Sequence, residues 1–158
     1  MTGNASYTVR VSGRGRHVVT SSSDGSLRAW DVRTGRQTLV LDEGIGYIYD
    51  YAFSPDGRRM AAPGRGGILV WNLETGKLET TLLGHEGGVT ALAFHPDGKF
   101  LATSGADGTV RVWDLSGGAE IKRFEAGSGG ASRLAWEPLG RRILAPGSDG
   151  SLRIFGVK

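Results

Sequence analysis

The sequence predicts an all-β chain, a radial array of four-stranded antiparallel blades, and three observations lead there. Trp30, Trp71, Trp113 and Phe155 stand 41, 42 and 42 residues apart. Gly15, Gly57, Gly98 and Gly140 keep step at 42, 41 and 42, each closing a turn such as Ser54-Pro55-Asp56-Gly57 or His95-Pro96-Asp97-Gly98. Each Trp is followed 27 residues later by the next turn glycine, at 30 to 57, 71 to 98 and 113 to 140. A spacing held through three intervals marks one supersecondary unit stacked on itself. The units are residues 5–44, 45–86, 87–126 and 127–158.

Within the third unit each element has a local reason. Residues 89–94 (VTALAF) are apolar and short enough for a strand buried on both faces. His95-Pro96-Asp97-Gly98 turns the chain, with proline presetting φ and glycine taking the position of positive φ. Residues 100–104 form a second strand, and Asp107-Gly108 makes a tight hairpin into the β-branched and aromatic strand 109–113. Ser116-Gly117-Gly118 turns again, and 121–124 is the fourth strand. Four strands in one period, repeated without helices, suit blades whose two faces are covered by their neighbours.

In this unit the run Gly84-His85, Val89, Leu92-Ala93-Phe94, Pro96-Asp97-Gly98, Leu101-Ala102, Asp107-Gly108 and Val112-Trp113-Asp114 resembles the signature of the WD-repeat β-propeller family. The resemblance extends over the whole chain and implies a structural hydrogen-bond chain joining His85, Thr103, Asp107 and Trp113. It leaves no buried donor unmet: the carboxylate accepts from imidazole, imidazole meets hydroxyl, and hydroxyl accepts the indole N–H. The other units depart from it. The first keeps Thr20, Asp24 and Trp30 but has no Gly-His; the second keeps Trp71, with Arg65 for the Asp and alanines at the hydroxyl position. The fourth keeps Asp149, with Ala145, Phe155 and Ala126-Gly127 at the other positions. Three blades therefore rest more on packing than on polar networks.

The fourth unit stops after its third strand, and only six residues precede the first strand, expected at 7–11. An outer strand with its connection needs about ten residues or more, so the two ends are not expected to close a ring. The family's rings usually hold more than four blades. The chain is then either the C-terminal half of a longer propeller or half of a ring made by two copies. Repeat arrays propagate by neighbour contacts and tolerate cutting, which favours the first reading.

Composition narrows the functions. There is no cysteine among the 158 residues, which excludes disulfide and thiolate chemistry and favours a cytosolic setting. Apolar runs are only a few residues long, so no segment is expected to enter a membrane. The net charge is +3, and the predominance of arginine over lysine fits a bacterial gene of high GC content. A catalytic constellation is not visible. The three histidines, His17, His85 and His95, have no metal-ligand spacing. His95 reads as an exposed turn residue and His17 as a residue at the strand boundary. Gly13-Arg14-Gly15 and Gly64-Arg65-Gly66-Gly67 open no helix and lack the phosphate-loop lysine. Asp24, Asp107 and Asp149 sit at matching hairpin positions and read as architectural. No enzyme, cofactor or metal is expected.

Two features suit recognition. Arg14, Arg16, Arg58, Arg59, Lys99, Arg141 and Arg142 follow the first turn of each unit, and Arg36 and Lys77 follow the third. Together they form one basic rim, read first as a solvated face and otherwise as a nucleic-acid or acidic-partner surface. That rim carries no aromatics, so nucleic acid is the alternative reading. The second feature is Tyr47-Ile48-Tyr49-Asp50-Tyr51. Tyr49 and Tyr51 are expected in the innermost strand and in the core. Asp50 and Arg133 replace Ala91 at the channel-facing position, near Tyr47, Glu86 and Arg65 on the opposite rim. These five residues are the candidate partner-binding set, because the family most often binds peptides on that rim. The leading reading is a non-catalytic module that docks proteins or other domains of its parent chain.

Overall fold

A computed structural model describes residues 6–22, 25–41 and 50–157. The strands fall into four antiparallel sheets, each laid down in chain order. The first blade comprises β1 (Ser6–Val11), β2 (His17–Ser22), β3 (Leu27–Asp31) and β4 (Gln37–Leu41). The second comprises β5 (Ala52–Phe53), β6 (Arg59–Gly64), β7 (Gly67–Asn72) and β8 (Leu78–Leu82). The third comprises β9 (Val89–Phe94), β10 (Phe100–Gly105), β11 (Thr109–Asp114) and β12 (Ala119–Glu125). The fourth has β13 (Ala135–Trp136), β14 (Arg142–Pro146) and β15 (Leu152–Gly156).

The turns follow from the residues that make them. Ahead of the second strand of each blade the glycine N–H returns to the residue three back, as Gly57 to Ser54 at 2.8 Å and Gly98 to His95 at 2.8 Å. Gly57 has a φ of 72°, and a Cβ there would collide with the Gly13 carbonyl of the blade before. Backbone conformation and inter-blade approach therefore both require glycine. After the Trp, a short polar side chain closes the next turn. Asp31 accepts from the Arg33 and Thr34 N–H at 2.9 and 2.8 Å, Asn72 from Glu74 and Thr75, and Asp114 from Ser116.

Strand alternation gives every blade two faces, and successive blades share three cores. On β10 and β11, Leu101 and Trp113 point back to Val70 and Leu82 of the second blade. Their neighbours Ala102 and Val112 point on to Ile143 and Phe155 of the fourth. Trp71 likewise faces Val19 and Leu27 of the first blade. Among the described residues nothing covers the outer faces of the first and fourth blades in this way. Val9 is 67% exposed, and Leu152 and Ile154 are 64% and 55% exposed, whereas Val110 and Val112, their equivalents in the third blade, are fully buried.

The inner strands correct one expectation. The inner strand of the second blade is only Ala52–Phe53, so Tyr51 precedes it, although its side chain is buried and its hydroxyl donates to the Val19 carbonyl at 3.1 Å. His17 opens β2, at the expected strand boundary, and is buried; His95 differs from its sequence reading. His95 packs its ring 4.7 Å from that of Trp136 and 5.5 Å from that of Phe100, and its Nε2 lies 3.0 Å from the Gly140 carbonyl. Far from being a loose turn residue, it bridges the third and fourth blades, because the turn of one blade lies against the turn of the next.

Candidate functional site

The polar chain of the third blade begins at the connection between β8 and β9 and ends on β11. His85 Nδ1 lies 3.1 and 3.0 Å from the two Asp107 oxygens, and its Nε2 lies 2.8 Å from Thr103 Oγ1. The Trp113 indole N–H donates to the same Oγ1 at 2.8 Å. The directions follow from the donors available. Facing a carboxylate, Nδ1 carries the proton, so Nε2 accepts from the Thr103 hydroxyl, which in turn accepts from the indole. Burial pushes the His85 pKa down, against the opposing pull of Asp107, and keeps the ring neutral. Burial alone would raise the Asp107 pKa. Hydrogen bonds from the Glu86 N–H, His85 and Thr109 instead hold it well below the usual carboxylate range.

Sequence reading missed three members of this network, Thr109, Arg111 and Glu120. Arg111, itself buried, donates to Asp107 at 3.0 Å, to Glu120 at 2.9 Å and to Thr109 Oγ1 at 3.1 Å. A signal for it was available: an arginine stands four residues after the hairpin Asp in three units, as Asp24/Arg28, Asp107/Arg111 and Asp149/Arg153. In the second unit the pair becomes Arg65/Leu69, and both halves of the ion pair are lost together. Arg153 takes a different partner and donates to the Ala126 carbonyl. Any Cβ at Gly127, the position matching His85, would lie 2.8 Å from its guanidinium, so Arg153 occupies the place of the imidazole. Asp149 turns to Ser151, whose hydroxyl donates to it at 2.6 Å. In the first blade Trp30 donates to Thr20 at 3.1 Å; Asp24 lies outside the described residues. Trp71 is buried, and Ala62, not a hydroxyl residue, stands beside it on the neighbouring strand.

The partner-binding set separates into an inner and an outer group. Asp50 is buried, and Arg10 of the first blade lies 2.6 Å from its Oδ1, an ion pair not aligned as a hydrogen bond. Arg10 also lies over the Tyr51 ring, 4.8 Å from its centroid. Arg133 reaches the same oxygen at 4.0 Å while remaining 66% exposed. The Asp50 carboxylate is thus taken up between blades rather than presented to solvent, a correction to its reading as a contact residue. Arg65 and Glu86 are exposed, Arg65 at the tip of the β6–β7 hairpin and Glu86 beside the Asp107 loop. Tyr47 lies outside the described residues. On the opposite rim, Arg16 and Arg58 share Glu74 at 2.8 and 3.8 Å, and Arg59 donates to the Gly98 carbonyl at 2.8 Å. Two residues of that basic rim, Arg16 and Arg59, are therefore spent on inter-blade contacts.

Blades stacked face to face, each with its hairpin, turn and Trp (Phe155 in the fourth) in register, define a β-propeller array. A family model described as WD domain, G-beta repeat matches residues 2–31 and 76–114, and these stretches are WD repeats. The matched stretches contain the two pairs in which Trp meets threonine, Thr20–Trp30 and Thr103–Trp113. Repeats of this kind build scaffolds for protein–protein interaction. Among the described residues no group of three or more acidic, histidine or cysteine side chains is placed to hold a metal, and no helix is long and apolar enough to cross a membrane.

Proposed function

We propose that this chain is a non-catalytic docking module that presents the loop end of its blades to other proteins or to other domains of its parent chain. One observation carries the reading. The polar chain of the third blade is consumed in holding the blade together, while Arg65 on the β6–β7 hairpin, Glu86 on the connection into the third blade and Arg133 on the connection into the fourth stay exposed. Rigid loops with outward charges suit recognition rather than reaction. The pairing of Arg16 and Arg58 with Glu74 supports a protein partner over a nucleic acid on the other rim.

The uncovered faces of the first and fourth blades support a larger ring, completed by further blades of the same polypeptide or by a second copy. Exposed apolar surfaces of this kind find partners. Quantitative affinity capture with the wild type and with the triple variant Arg65→Ala, Glu86→Ala, Arg133→Ala tests the docking surface. Selective loss of partners by a variant with an unchanged melting curve is expected; undiminished capture would rule the surface out.

A further inference from the structure

Between the β6–β7 hairpin and the connection entering β9 lies a cleft of about 480 Å³. Its apolar floor is the half-buried Pro63 and Val89, set over the buried Ile68 and Leu82; Gly87 and Gly88 line it too, and the exposed Arg65 borders it. We propose that this cleft binds an extended peptide through an aspartate or glutamate side chain on Arg65, with a small aliphatic neighbour on the apolar floor. The proposal rests on the docking reading above and specifies the partner's chemistry.

Three features argue for it. The first is what Arg65 replaces. By its spacing to the Trp, Arg65 stands where the third blade has Asp107, the acceptor for His85, Thr109, Arg111 and the Glu86 N–H. The second blade thus puts a cation where an internal anion would saturate the loop, and its strand partner position is Leu69 instead of arginine. No carboxylate among the described residues pairs with Arg65.

The second feature is the length of the hairpin. The 41-residue spacing from Trp30 to Trp71 arises here, because Gly57 to Trp71 is 14 residues where the other units have 15. Gly64 pairs directly with Gly67 and leaves a two-residue tip, Arg65-Gly66, with Gly66 at a φ of 84°. The shortened tip opens the space in front of β9. The third feature is the wall. The N–H groups of Gly87 and Gly88 donate to no acceptor among the described residues, so an extended chain finds backbone donors beside the cation. The volume falls in the range of about 300–1,000 Å³ usual for small ligands and admits one acidic side chain with its neighbour.

The test uses the tripeptides acetyl-Val-Glu-Val-amide and acetyl-Val-Gln-Val-amide, titrated into ¹⁵N-labelled protein. The glutamate peptide is expected to shift the amides of Gly66, Gly87 and Gly88 and to bind about tenfold tighter than the glutamine peptide, the scale of one charge-assisted hydrogen bond. Arg65→Ala should erase that preference. Gly88→Trp should block binding without strain, since its φ is not in the left-handed region and nothing lies within 4 Å of a Cβ there. Equal affinity for the two peptides, a preference that survives Arg65→Ala, or shifts confined to other residues would overturn the assignment. If the glycine amides stay still while partner capture still depends on Glu86 and Arg133, the docking module stands and the cleft assignment falls.

Discussion

The second and third blades stack on one another with the same strand order, yet they hold their loop ends by opposite means. In the third blade Asp107 gathers His85, Thr109, Arg111 and a backbone N–H, and the chain runs on through Thr103 to Trp113. In the second, Arg65, Leu69 and Ala62 stand at the matching positions, and Trp71 is held by apolar neighbours alone. Apolar packing is sufficient to keep a blade in register. The polar chain adds a specific lock on the loop, and its absence releases a cation and opens a cleft.

The sharpest break in this comparison is Asp107→Ala, which leaves Arg111 and His85 buried without their anion. It should cost about 3 kcal/mol or more in urea unfolding, whereas Arg65→Ala at the matching site should stay within about 0.5 kcal/mol. Similar losses for the two would dissolve the distinction between the blades. Next in size is Thr103→Val, which keeps the shape but strands the Trp113 indole and His85 Nε2. About 1–3 kcal/mol is expected, with no comparable effect from Ala62→Val beyond overpacking.

Acid should act on the same lock. The His85 and His17 pKa values are lowered by burial from 6.5, so the unfolded chain takes up protons before the folded one. Their contribution to stability is complete above about that pH and declines below it. Asp107, depressed below 3.8, adds a second loss as the pH falls under that value. Melting temperatures at pH 7.5 and 5.5 should show the first decline, and His85→Ala should reduce its slope; parallel slopes would remove His85 from the account. The smallest effect is expected from Arg16→Ala. Its exposed pair with Glu74 contributes at most about 1 kcal/mol, so unfolding should barely move.

Much of the fold was legible because its causes are local. A turn needs its glycine, a two-faced strand needs consecutive apolar residues, and both recur at a fixed interval. The His85–Thr103–Asp107–Trp113 geometry lies within one unit and its connection, and the residues implied by the family resemblance do meet there. Apart from Arg111 and its partners, what escaped the reading lies between units. Arg10 with Asp50, and His95 with Trp136, join residues some 40 positions apart, and neither residue type announces such a partner. The paired Asp and Arg at Asp107 and Arg111 were visible at their four-residue spacing, but their meaning depends on the Glu120 across the sheet.

The 42-residue rhythm, with its Trp and turn glycines, determined the blade, because backbone conformation and strand alternation are set by near neighbours. Only the tertiary structure decided which side chains are spent inside the array and which remain outside. That depends on how closely one blade's face approaches the next: the approach buries Asp50 against Arg10, seats His95 on Trp136 and leaves Arg65 over an open cleft.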